Sequence, residues 1–348
     1  MSIYLFVIYC GIAIFSIFSR KSKIGFYLSF IMAWLLIAGN DGNYDYFQYE
    51  LRYDAGIYRD VKLDFGFGLL CETFKRMGLS YQEFKAVISF ACLLLIFRTI
   101  KNMSRLPSLG AAIFLIFPFL IDITQFRNFI SYSIVFFAIP YLFEDGKRNL
   151  IMYTIIVVLA ATIHSSSAFY LLFLFVKIET KFRYLFVIIG VVFITVAKEA
   201  LKARFVMESG INKFENYEMT SFAGALLGSF IVIANYLLVL YLYNKKRYNL
   251  LAQTLWLKFN TQNTWVYCNL MFVLIIPFLF DNANYSRVYR NVAVLNMIFF
   301  SNAYYIKKNL KILVMTIYYA YFVYFSFLRN NSFQDVIVPV FSHNIFAI

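Results

Sequence analysis

Scarcity sorts this chain before any motif does. Charged residues make up only 14% of its 348 positions, against roughly a quarter in soluble domains. Acids are the scarcer sign, 18 against 32 Lys and Arg, which leaves a formal charge of +14. That excess invites a nucleic-acid reading. The basic residues punctuate apolar runs and form no single patch, so a nucleic-acid partner is not expected. The four cysteines, Cys10, Cys71, Cys92 and Cys268, show no CxxC spacing, which argues against structural zinc and against a disulfide framework. The two histidines, His164 and His343, lie far apart, and no HxxxH or HxxE pattern appears, so no metal is expected. A GxSxG elbow and a P-loop are both missing. Linkers rich in Ser, Gly or Pro, low-complexity tracts and internal repeats are missing too, so residues 1–348 read as one transmembrane domain.

Apolar residues are plentiful, 62% of the chain, with 42 Phe and 28 Tyr. Mean hydropathy is +0.70. Runs of about 18 apolar residues recur from end to end, which predicts an all-α, polytopic integral membrane bundle. A transmembrane barrel would show short alternating segments. The pattern predicts about twelve transmembrane helices, at 2–19, 24–39, 81–97, 107–123, 127–143, 149–163, 165–176, 184–198, 221–243, 263–280, 286–306 and 311–328. Ser2–Phe18 lacks a basic leader and a small-residue cleavage site, so it reads as a retained span.

Orientation follows from the basic connections. Alternate ones carry Arg20, Lys21 and Lys23; Arg98, Lys101 and Arg105; Lys147 and Arg148; Lys177, Lys181 and Arg183; Lys245, Lys246, Arg247 and Lys258; Lys307, Lys308 and Lys311. These 18 share their side with three acids, Glu144, Asp145 and Glu179. The other 14 Lys and Arg lie among 15 acids. The first side is then cytoplasmic and both termini face outward. This order requires residues 149–176 to form two spans, or a helix broken near His164.

The outer side owns two long connections, 40–80 and 199–220. The first opens with a polar island, Gly39 to Arg59, holding Asp41, Asp45, Glu50, Arg52, Asp54 and five tyrosines, Tyr46 and Tyr49 among them. If helical, Asp45, Tyr49 and Arg52 share a face. A carboxylate beside aromatic rings suits sugars: the acid accepts hydroxyl hydrogen bonds and the ring stacks on the apolar face. The alternative is a solvated loop whose charges pair among themselves. Phe65, Leu69, Leu70, Phe74 and Met77 then fall at helical spacing and predict an interfacial helix. Gly78 suits its C-cap, and Ser80 with Glu83 suits the next N-cap. The second connection, which holds Arg204, could cover the outer mouth as a lid.

Polar groups also gather where spans meet the outer surface, and ionisable groups there are functional candidates. Asp122, Thr124, Gln125, Arg127 and Asn128 form one group, which reads as a lined cavity or as an interface anchor. His164 and the three serines after it form another. His164 could be a general base, a donor to sugar or phosphate, or a satisfied interhelical histidine. Asp281, Asn282, Asn284, Arg287 and Arg290 form the third. Arg287 and Arg290 are three apart on one face, a seat for a diphosphate or a pair that snorkels to headgroups.

Five features then share one order. They are NYDYFQYELRY after the second span; LDFGFGLL followed by MGLSYQEF; QFRNFISYS, with Asn128 where an Arg-Gln pair has glutamine; TIHSSSAFYLL; and YSRVYRN. Together they resemble the EpsG-like family of Wzy-type O-antigen and capsule polysaccharide polymerases. The resemblance implies a glycosyltransferase on the periplasmic face of the bacterial inner membrane, and allows a GT-C-like architecture. Its substrates would be undecaprenyl-diphosphate-linked oligosaccharides, one as donor and one as acceptor. No nucleotide sugar, metal or other cofactor is implied; a chain-length regulator is an implied partner. The acceptor hydroxyl needs a base, for which Asp45 stands first, then His164, then Asp64. Arg127, Arg287 and Arg290 are candidates for the diphosphate, with Arg52 and Arg204 as weaker loop arginines. Tyr46 and Tyr49 line the sugar wall, and Asn128 keeps an amide's donor and acceptor. A flippase of the same lipid-linked oligosaccharide would show two-fold repetition and mid-span charges instead. An O-antigen ligase shares the donor and differs in its acceptor. A membrane acyltransferase would place its histidine deeper in the bilayer.

Overall fold

The protein is described by a computed structural model that covers residues 2–43, 45–57, 64–144, 146–177, 180–209, 221–244, 262–282, 285–303, 320 and 333–347. Among these residues every regular element is helical, and the only β-type contact is an isolated bridge between Asn40 and Asn344. They cluster into two compact units.

The first unit comprises Met1–Phe137, Leu159–Ser165 and Ala293–Ile348. Its helices are α1 (Ile3–Phe18), α2 (Lys23–Gly39), α3 (Tyr46–Ala55), α4 (Phe65–Arg76), α5 (Tyr81–Met103), α6 (Pro107–Phe114), α7 (Leu120–Thr124) and most of α8 (Phe126–Phe143). Ser2 and Ser22 start α1 and α2 by accepting backbone N–H groups of Leu5, and of Ile24 and Gly25. Between α3 and α5 the local signals are obeyed. Gly78, at φ +81°, follows α4, and Ser80 and Glu83 close a capping box on α5. Phe26 and Phe30 of α2 meet Phe97 of α5 edge-on at 5.2 Å.

Backbone and side-chain hydrogen bonds tie the helix ends of this unit together. At one end the Ser2 N–H donates to Phe341 O (3.1 Å), the Ile345 N–H to Gly39 O (2.9 Å) and Asn43 Nδ2 to Ile123 O (3.5 Å). At another, Ser16 Oγ donates to Gly25 O (2.9 Å) and Ser108 Oγ to Ser16 O (3.1 Å), among the basic connections. The expected span 107–123 is not continuous. It breaks at Leu115–Phe119, where Phe117 is extended (φ −160°, ψ 134°) because Pro118 follows it. A helical segment absent from the expected spans, Phe333–Ser342, buries Ile337, Val340 and Phe341, and Phe341 packs on Phe6 and Tyr9.

The second unit comprises Ala138–Val158 and Ser166–Val292. It holds most of α9 (Lys147–Ile163), α10 (Thr180–Ser209), α11 (Phe222–Asn244) and the interrupted helix Gln262–Leu279. The break near His164 is present. α9 ends at Ile163, and the chain rewinds as a 3₁₀ helix, Ser165–Lys177. Phe169 stacks on Phe272 (5.8 Å) and Phe175 on Phe186 (4.0 Å). Residues 199–209, expected in the lid connection, continue α10 instead; 210–220 lie outside the described residues. So do the expected span 311–328, apart from 320, and Arg59 and Asn284.

Exposed apolar residues follow helical spacing on α1 (Ile3, Val7, Ile14, Phe18), α10 (Leu185, Ile188, Val192, Val196) and α11 (Phe222, Leu226, Phe230, Ile233). Among the described residues three helical stretches, Pro107–Thr124, Phe126–Phe143 and Phe222–Tyr241, are long and apolar enough to cross a membrane. Five shorter apolar helical stretches accompany them.

Candidate active site

Asp64 ends the polar connection and starts α4. Its own carbonyl accepts the Phe67 and Gly68 N–H groups (3.1 and 3.3 Å), yet its carboxylate does not cap α4. It turns instead to two distant segments. Oδ2 accepts from Arg127 Nη1 at 2.8 Å, and Oδ1 accepts the Ser165 N–H at 3.0 Å. His164 Nδ1 stands 3.9 Å from Oδ2. Only 2% of Asp64 is exposed, so its charge is held by these neighbours and hardly by water.

Each partner is fixed locally. Arg127 sits in the first turn of α8, with its guanidinium 5.7 Å from the Tyr49 ring centre and 5.9 Å from that of Phe67. His164 donates its backbone N–H to Ala160 O (3.0 Å). Ser131 Oγ donates to the same carbonyl (3.1 Å), which ties α8 to the end of α9. Gly66 lets α4 approach that end. A Cβ there would stand 3.0 Å from the Thr162 carbonyl carbon and closer still to its side chain. On the buried face of α4, burial pushes the Cys71 thiol up to about 12, and Arg127 offsets only part of that.

The structure thus brings Asp64, Arg127, His164 and Tyr49 together. Asn128 is buried beside Arg127 in sequence. Asp45 precedes the first residue of α3, half-exposed, with no side-chain cap bond to that helix. Tyr46 is buried and donates its hydroxyl to Glu50 Oε1 (2.9 Å); burial and that acid raise its phenol. Arg52 is exposed on the last turns of α3. The face that α4 buries is Gly66, Phe67, Gly68 and Cys71, while Phe65, Leu69 and Met77 of the expected apolar set point outward.

In the second unit, Arg287 and Arg290 lie in the first turns of Ser286–Ala303. Arg290 is 2% exposed and Arg287 half-buried. Tyr170 braces this helix by donating to Val288 O (2.7 Å). Nearby in sequence, Asp281 pairs with Lys198 of α10 at 2.5 Å. Arg204 lies on α10, and its side chain is outside the described residues. Among the described residues no group of three or more His, Cys, Asp or Glu is placed to hold a metal.

Sequence reasoning passed over the Ser165 N–H and a buried polar knot of Asn40, Asn43 and Lys85. Lys85 carried a readable signal, because a lone lysine inside an apolar span is costly and calls for a partner.

No curated protein and no solved structure matches the chain. A match to a protein family spans residues 23–342, which takes in every residue of the cluster. The chain belongs to the EpsG family, a family of Wzy-like polysaccharide polymerases.

Proposed function

We propose that this chain polymerises undecaprenyl-diphosphate-linked oligosaccharide repeat units into O-antigen or capsular polysaccharide. It works as a multispan enzyme of about twelve transmembrane helices in the bacterial inner membrane, with its site facing the periplasm. The observation that carries this reading is the buried Asp64, with Arg127, His164 and Ser165 around it.

The reaction is a substitution at a glycosyl carbon. The acceptor's sugar hydroxyl attacks the anomeric carbon of the donor chain. The bond from that carbon to the diphosphate oxygen breaks, and undecaprenyl diphosphate leaves with the electron pair. His164 takes the hydroxyl proton; it is favoured over Asp45 because Asp64 stands beside its Nδ1. Arg127 meets the negative charge that grows on the leaving diphosphate. Asp64 keeps that guanidinium in place before substrate arrives. Arg287 and Arg290 form the seat offered to the diphosphate of a lipid carrier by the second unit. Tyr49 supplies a ring face to the sugar. Neither a nucleotide sugar nor a metal enters the step.

The test is deletion of the gene and gel analysis of surface polysaccharide. A product of single repeat units supports a polymerase. Loss of surface attachment with long lipid-linked chains retained means a ligase, and loss of outward delivery of the lipid-linked unit means a flippase. Complementation with Arg290→Ala should leave protein level intact and remove long chains; a normal ladder would count against the assigned seat.

A further inference from the structure

Lys85 lies one turn into α5, in an otherwise apolar run, and is 1% exposed. A buried ammonium is expensive to desolvate, and a methionine of similar length would fill the space without that cost. What the lysine does there is visible in its contacts. Its Nζ donates to the Asn40 carbonyl just past the end of α2, and lies 5.0 Å from the centre of the Tyr46 ring at the start of α3. Asp41 and Glu50 are the acids whose fields reach it. One side chain thus touches both flanks of the α2–α3 turn.

The rest of the knot holds the same turn. Asn43 Nδ2 donates to Asn40 Oδ1 (2.5 Å), and Asn43 Oδ1 accepts the N–H groups of Asp45 (3.1 Å) and Tyr46 (3.0 Å). Asn40 Nδ2 donates to Pro339 O and His343 O (3.1 and 2.8 Å). Gln82, also on α5, donates to Ala38 O. Carbonyls at the end of α2, which have no partner within the helix, are answered from α5 and the C-terminal segment. Tyr46 and Tyr49 are three apart on α3, so fixing the first sets the second, whose ring faces Arg127.

We infer that Lys85 is a positioning residue: by bridging the Asn40 carbonyl and the Tyr46 ring it fixes the start of α3 and keeps Tyr49 on the guanidinium of Arg127. It touches no substrate. Its effect on turnover rests on the polymerase reading; its effect on α3 does not.

Two measurements on the full chain in lipid nanodiscs and in cells test this. Hydrogen exchange in Lys85→Met should quicken about tenfold or more within residues 40–55, with α1, α2, α5 and α6 at wild-type protection. Unchanged exchange in 40–55 overturns the proposal, and so does a rise spread over those four helices, which would mark a general loss of stability. Should Lys85→Met fail to accumulate, Tyr46→Leu removes the aromatic side of the same contact and is judged by the same pattern. The second measurement is a double-mutant cycle on polymer yield with Tyr49→Ala. Lys85→Met should cost about tenfold alone and almost nothing further in the Tyr49→Ala background. Additive losses overturn the coupling to Tyr49. If the wild type makes no polymer, the polymerase reading falls, while the exchange pattern still decides the role of Lys85.

Discussion

Asp45 and Asp64 stand on the same connection between α2 and α5, and their surroundings differ in kind. Asp45 lies in the tyrosine-rich part of the connection, half-exposed ahead of α3. Asp64 comes just after Arg59, Asp60 and Lys62, a stretch no less charged, yet it is almost wholly buried between an arginine, a backbone N–H and a histidine. Charge density along a sequence marks where water is welcome. Charge density does not separate these two acids; burial does, since each buried charge must be answered by a specific distant partner.

Substitutions can break or sharpen this contrast. Arg127→Ala should act most strongly. It leaves the Asp64 carboxylate buried without its guanidinium, which should cost about 3–5 kcal/mol of stability in thermal denaturation. Long polymer should fall by a factor of about 100 or more on gels of surface polysaccharide, because one charge stabiliser is lost from the transition state. Asp64→Asn should come next. Its amide oxygen still accepts the Ser165 N–H, while the arginine loses its counter-charge and the histidine its acid, so polymer yield should fall about 10- to 100-fold at normal protein level. Gly66→Ala should be intermediate, since its Cβ must push α4 off the end of α9. Chemical labelling reads this directly. The Cys71 thiol, raised to about 12 by burial, carries almost no thiolate at pH 8 and should resist alkylation in the wild type. In Gly66→Ala it should react measurably faster. Asp45→Asn should matter least, within about threefold of wild-type yield, because this half-exposed acid makes no cap bond to α3 and is not walled in as Asp64 is. A loss as large as that of Asp64→Asn would reverse the ranking of the two acids.

Much of this was legible in the chain. Ser80 with Glu83, Gly78 and the break at His164 are local signals, and the helices obey them. Arg127 and His164 were visible as polar groups at span ends, and Asp64 as the third candidate base within the first outer connection. Their convergence was not, because the pairing joins residues 63 and 101 positions apart and is decided by packing. The connection after α10 was misread for a different reason. KEALKARF is charged, which suggested a loop, but Ala, Leu, Lys, Glu and Arg are strong helix formers and the helix simply runs on through them. Lys85 was hidden by its apolar neighbours, and only the knot around Asn40 gives it a purpose.

The tightly wound segment after His164 has a consequence in reach. Thirteen residues laid out as an α-helix would extend about 20 Å. Wound as Ser165–Lys177 is, at about 2.0 Å per residue, they extend about 26 Å, within a few ångströms of a hydrocarbon layer about 30 Å thick. A stretch too short to cross in the ordinary winding is thus drawn out far enough to approach the full depth. Relaxing it by a single turn would draw Ser165 toward Lys177 and away from the carboxylate it now serves.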